Sequence, residues 1–223
     1  YSEAHMPFDV TRRPTKIPEG WKNPNNCYEQ QSFVDANGLS IINKGLPEYE
    51  VTEDGIIKLT LLRCVGRMFR SNLSFLSLRK TPEAQCLGKH TFEYSIYPHK
   101  DNFDEGVFQE AFDMDTKIIA AEINKQKGSI TAENFIKNGK SNENLIQSII
   151  EPTENGFRVR YFNPTDKTIS LSMKNHAFGK KCNIYETDLK GKLITGNIHA
   201  CYIWPKKVLT LETIFQNQTN RQP

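Results

Sequence analysis

The sequence predicts an all-β protein: a large β-sandwich over 1–140, then a small antiparallel β-sandwich over 141–223. Three observations carry that expectation. Apolar residues recur at every second position in most of the apolar runs, the period of a half-buried strand. Clusters of glycine, asparagine and proline separate those runs, as turns do. Only one stretch, 103–122, spaces its apolar residues as a helix would.

The first segment, 1–28, is punctuated by proline and reads as an extended, wrapping stretch. Strand signals follow. Leu39, Ile41 and Ile42 flank Ser40, and Asn43-Lys44-Gly45 then turns the chain. Gly45 suits a turn position of positive φ, and Pro47 keeps the next residues extended. Beyond it, Glu48 and Glu50 alternate with Tyr49 and Val51. The run 55–66 predicts a long strand with Ile57, Leu59, Leu61 and Val65 on one face. In 91–99, Phe92, Tyr94 and Ile96 take the apolar face and Tyr97 the polar one. Val107, Phe108, Ala111 and Phe112 predict a short helix, because Asp113 and Asp115 break its pattern. Residues 124–143 are polar and read as a surface excursion, with a boundary near 140. Strands over 156–165 and 167–174, joined at Asn163-Pro164-Thr165-Asp166, predict a hairpin. "CNIYETDLKGKL" and "KKVLTLETIF" supply two late strands.

Composition narrows the function classes. A net charge of +3 over 223 residues is too small for a nucleic-acid partner. No run approaches the ~18 apolar residues of a membrane-spanning helix. The chain opens on Tyr1 and reads as a piece of something longer. Five cysteines, an odd number with no CxxC, fit a reducing compartment.

The chemistry-bearing residues are sparse. The histidines, His5, His90, His99, His176 and His199, show no zinc-ligand spacing, so no metal site is expected. No nucleophile motif and no phosphate-binding glycine loop occurs, so neither catalytic nor cofactor-binding residues are expected. Glu48 and Glu50 share a strand face, as a glycosidase carboxylate pair could, but charge on an exposed edge produces the same pattern. Arg63 is the most informative residue. Strand alternation places it among Ile57, Leu59, Leu61 and Val65, where a guanidinium requires compensation or a cleft to emerge into. Glu48 or Glu50 is the expected partner. Tyr97 and His99 lie at a strand end, where a loop could present them.

"FVDANGLSIINKGLPEYEV", "IIKLTLLRCVGRM" and "TPEAQCLGKHTFEYSIYPH", followed by "GFRVRYFNPT", "CNIYETDL" and "PKKVLTLE", resemble the C-terminal β region of family 38 glycoside hydrolases, the α-mannosidases of the bacterial cytoplasmic type. The resemblance covers most of 9–215 and implies a supersandwich of the galactose-mutarotase type. It implies a non-catalytic part of a retaining, zinc-dependent enzyme acting on α-mannosides. In the family, zinc and the aspartate nucleophile belong to an N-terminal catalytic barrel, which a helical bundle joins to the β region. The implied partners are therefore that barrel, that bundle and the α-mannoside, in the cytoplasm. No nucleic acid or membrane is implied, and a homo-oligomer is compatible. Arg63, Tyr97 and His99 are the substrate-rim candidates, from face and strand-end reasoning. A free-standing carbohydrate-binding β-sandwich module is the alternative.

Overall fold

A computed structural model describes residues 1–20, 26–68, 79–100, 103–125, 145–172 and 182–216. The chain falls into two compact units, Tyr1–Val107 and Phe108–Pro223. The expected boundary near 140 lies outside the described residues, as does most of 124–143.

The first unit opens with a hairpin of β1 (Ser2–Met6) and β2 (Asp9–Arg13), where an extended wrapping segment was expected. Pro7 occupies the turn, where its missing N–H breaks no ladder bond, and Phe8 takes the left-handed φ of 59°. β3 (Cys27–Glu29) is followed by β4 (Phe33–Ala36) and β5 (Leu39–Asn43). Asn37-Gly38 joins the last two with φ values of 53° and 78°, as a tight antiparallel hairpin requires. Gly45 turns at φ 74° into β6 (Glu48–Val51).

The predicted long strand over 55–66 is cut short. β7 spans only Ile57–Leu59, and Leu61, Leu62 and Val65 are exposed. Thr60 N still bonds Glu48 O at 3.0 Å, after which the chain leaves the sheet. Periodicity persisted in the sequence, but among the described residues no partner strand follows it. β8 (Arg67–Met68) and β9 (Arg79–Lys80) form a small ribbon, and β10 (Tyr94–Pro98) returns beside β5.

These strands build two facing sheets. One has five strands in the order β10-β5-β4-β1-β2, and the other has three in the order β3-β6-β7. Ala4, Val34 and Ala36 of the first pack against Tyr49 and Val51 of the second, with Ile41, Ile57 and Leu59 at the margin. Tyr49 is fully buried, so unpacking it would expose a large apolar ring to water. On the opposite face of the five-stranded sheet, Phe33 stacks between His5 and Phe103, at 5.3 and 5.9 Å between ring centroids. The wider sheet overhangs the narrower one. Tyr94 and Ile96, expected to face inward, are 60% and 61% exposed.

The second unit holds α1 from Phe108 onward; the helix spans Val107–Asp115, short as expected. Its last turn carries Asp113 and Asp115, which oppose the negative C-terminal end of the helix dipole. β11 (Ile146–Thr153), β12 (Gly156–Phe162), β14 (Cys182–Thr187) and β16 (Val208–Phe215) form one antiparallel sheet. β13 (Ile169–Ser172) and β15 (Ala200–Ile203) form another. The expected hairpin between β12 and β13 is therefore a crossover between sheets. Asn163 secures it: fully buried, its Nδ2 reaches the carbonyls of Lys167 (2.7 Å) and Ile203 (2.9 Å). Its Oδ1 accepts from the Thr165 amide at 3.0 Å and the Thr165 hydroxyl at 2.8 Å. Side-chain bonds to backbone of this kind replace the ladder a hairpin would have made. Val159, Tyr161, Leu171, Ile184, Ile203 and Leu211 fill the core between the two sheets.

Among the described residues, no helix is long and apolar enough to cross a membrane. None of the five cysteines, all of them among the described residues, forms a disulfide.

Candidate functional site

The outer face of the three-stranded sheet carries a cleft of about 600 Å³. Glu29, Glu48, Thr60 and Arg63 supply its polar lining, and Pro47, Leu61 and Leu62 an apolar wall. Cys27 and Tyr28 complete it. Strand register explains the polar side. Glu29 on β3 stands directly opposite Glu48 on β6, and Cys27 opposite Glu50. Tyr28 and Tyr49 alternate with them and are also paired across the strands, their rings 6.0 Å apart.

Like charges at directly opposed positions repel, so each carboxylate needs a cation. Each has one. Arg13 holds Glu29 in a two-point grip, Nη2 to Oε1 at 2.6 Å and Nη1 to Oε2 at 3.2 Å. That hydrogen bond from Arg13 draws the Glu29 carboxyl below its usual pKa. Burial is the largest single influence on Arg13 and works against its charge, but the bond to Glu29 together with the charge interactions with Tyr49, Glu29 and Tyr28 outweighs it and raises the guanidinium pKa. The Arg13 guanidinium also lies 4.7 Å over the Tyr28 ring. Arg63 Nη2 pairs with Glu48 Oε2, and the Thr60 hydroxyl donates to Glu48 Oε1 at 2.9 Å.

Arg63 thus lines a cleft and finds the expected partner, Glu48, but not by the expected route. Its side chain is 69% exposed, against 17% for Glu48. It lies beyond the end of β7, so no strand alternation drives it onto the apolar face.

Tyr97 and His99 lie elsewhere in the same unit, away from the residues lining the cleft. The Tyr97 hydroxyl donates to Asp104 Oδ2 at 3.0 Å, and Gly106 N donates to Asp104 Oδ1 at 2.9 Å. His99 is an interior residue, its side chain 4% exposed beside an Asp35 carboxyl 3% exposed. Its Nε2 meets Asp35 Oδ2 at 2.5 Å, and its Nδ1 meets the Lys100 carbonyl at 2.6 Å. The fully buried Ser40 hydroxyl donates to the same Asp35 oxygen at 2.5 Å. The bond to the Lys100 carbonyl requires an N–H on Nδ1. The order differs from a nucleophile–base–acid chain: serine and histidine converge on one carboxylate oxygen, and burial closes the hydroxyl off from solvent. This is a buried tie between β4, β5 and the end of β10.

Sequence reasoning passed over Arg13, Glu29, Asp35 and Ser40. Asp35 carried a readable signal, because it is a carboxylate between Phe33-Val34 and Ala36 just before an Asn-Gly turn. A charge inside such a run needs a buried partner.

The family resemblance raises zinc. Among the described residues, no three His, Cys, Asp or Glu side chains are grouped to hold a metal ion, so they do not fit it.

No family model matches the chain. It is 30% identical over 214 residues to a protein whose assigned name is mannosylglycerate hydrolase, from Halalkalibacterium halodurans, covering 92% of this chain and 23% of that one. The crystal structure of an α-mannosidase from Enterococcus faecalis V583 superposes with a TM-score of 0.76 at 28% identity, over 96% of this chain and 24% of that one. A second crystal structure, of a protein in glycosyl hydrolase family 38 from Enterococcus faecalis, gives a TM-score of 0.74 at 28% identity, over 96% of this chain and 25% of that one. The chain spans about a quarter of the length of the relatives it matches.

Proposed function

We propose that this chain, related to glycoside hydrolase family 38 across almost its whole length, is the non-catalytic C-terminal β region of a retaining, zinc-dependent α-mannosidase that works in the cytoplasm. It packs on a catalytic barrel and helical bundle and shapes the rim of the sugar cleft. The observation that carries the reading is the coverage: nearly all of this chain aligns with a quarter of each relative. Arg63 is a rim residue we retain, because it is exposed and lines an open cleft. His99 takes a supporting role because its side chain is buried, and Tyr97, half-buried with its hydroxyl on Asp104, stays a rim candidate.

A chimera tests the proposal. This chain replaces the matching region of the Enterococcus faecalis α-mannosidase. The chimera should hydrolyse an aryl α-mannoside, and the chain alone should not, with or without added zinc. Turnover by the chain alone, in material free of host glycosidase, would overturn the reading. So would a folded chimera without activity.

One observation favours the alternative, a free-standing carbohydrate-binding module. Tyr202 and Trp204 alternate with the buried Ile203 and are both exposed. Stacking of a soluble mannan on that pair, seen as a change in Trp204 fluorescence, would support it.

A further inference from the structure

We propose that the cleft on the outer face of the three-stranded sheet binds a neutral sugar, with Glu29 and Glu48 accepting from its hydroxyls and Arg63 donating to them. The proposal rests on the reading that the chain is part of a glycoside-acting protein, and the geometry supplies the rest.

Glu29 and Glu48 are cross-strand partners, which puts their Cα atoms about 4.5–5.5 Å apart with both side chains on one face. The Glu29 carboxylate takes two donors from Arg13 and one from its own backbone N–H, and the Glu48 carboxylate takes one from Thr60 and one from Arg63. A carboxylate offers about four lone-pair sites, so each of the two retains at least one for a ligand hydroxyl. Arg63 gives one nitrogen to Glu48, and its exposed side chain has further N–H donors. Two acceptors at the spacing of neighbouring strands therefore stand beside one donor, which suits neighbouring hydroxyls that both donate and accept. Pro47, Leu61 and Leu62 offer an apolar wall for the C–H face of a ring. The volume falls within the roughly 300–1,000 Å³ of small-molecule sites.

The charges choose the ligand class. Two guanidinium groups offset two carboxylates, so the set carries no net charge. A carboxylate-bearing aglycone finds no surplus cation here, because Arg13 is already held at two points by Glu29. The cleft thus recognises the sugar and not an acid attached to it.

The test is a titration of the isotopically labelled 223-residue chain, followed by amide shifts. The probes are methyl α-mannopyranoside and its charged counterpart, mannosylglycerate. Methyl α-mannopyranoside should shift the amides of 27–29, Glu48 and 60–63, with a millimolar dissociation constant. The double variant Glu29→Gln, Glu48→Gln should weaken binding about tenfold, since each amide keeps one acceptor oxygen and presents a donor where a hydroxyl donates. If Glu48→Gln does not fold, Glu29→Gln alone carries the test, because the Glu29 side chain is two-thirds exposed. No shifts, shifts elsewhere, or unchanged binding by the variant would overturn the proposal. Binding of mannosylglycerate more than about tenfold tighter would overturn the neutral assignment. An active chimera with no binding by the cleft removes this proposal and leaves the family reading. An inactive chimera with the cleft binding intact does the reverse.

Discussion

The Asp35–His99 pair and the Glu48–Arg63 pair belong to the same unit and differ mainly in burial. The first has both side chains below 5% exposed and a serine hydroxyl on the shared oxygen. The second keeps its carboxylate under cover and leaves its guanidinium 69% exposed. Removing water from both polar groups makes the first pair costly to break. Leaving water on one makes the second cheap to open and so available to a ligand. Burial, more than the charges, separates a structural tie from a candidate binding group.

Asp35→Ala should produce the largest effect. It removes the buried carboxyl that both His99 Nε2 and the Ser40 hydroxyl contact and leaves those two atoms, 3.3 Å apart, with each other, at a cost of about 3–5 kcal/mol. Thermal unfolding measures it. A melting temperature within a degree of the parent would mean the tie contributes nothing.

A second buried histidine of the same sheet gives the next effect, through pH. His5 bonds the Ser32 hydroxyl at 2.6 Å, and burial pushes its pKa from 6.5 down to about 4. The unfolded chain therefore binds the proton more readily than the folded one. The stability His5 supports is present above pH 6.5 and falls as pH drops toward 4, by at most ~1.4 kcal/mol per unit. Urea unfolding across that window should show the decline, and His5→Phe, which keeps the stack on Phe33, should flatten it.

Arg158 sits between the two extremes. It bridges Glu151 at 2.7 Å and Glu212 at 2.9 Å across three strands, with an 18% exposed side chain. Arg158→Ala should cost about 1–3 kcal/mol in the same thermal assay. A loss matching Asp35→Ala would show that burial does not rank these pairs.

Arg63→Ala should have the smallest effect on folding, within about 0.5 kcal/mol, because solvent screens an exposed pair. The same substitution in the chimera should lower kcat/KM. A large drop in melting temperature would make Arg63 structural and take it from the rim.

Local features were legible in the sequence. The turn at Gly45, the alternation of Glu48 and Glu50 with Tyr49 and Val51, and the short helix all follow from periodicity and turn chemistry. Pairing was not legible. β12 and β13 look like a hairpin because Asn163-Pro164 is turn chemistry, yet one enters a four-stranded sheet and the other a two-stranded one. Arg63 shows the same limit. Its parity held meaning only while β7 continued, and the strand stops at Leu59. Its partner was legible because β6 and β7 are neighbours in sequence. Asp35 and His99 lie 64 residues apart, and only the placement of β10 beside β5 joins them.

The unequal width of the two sheets has a colloidal consequence. β10 is the last strand of its sheet, and among the described residues no strand pairs with its outer edge. Beside that edge, Tyr94 and Ile96 present an uncovered apolar strip. Open backbone next to apolar side chains invites a second molecule to add its own strand. At preparative concentration the isolated region would therefore be adhesive, and its solubility would depend on how well that one strand is kept apart from its copies.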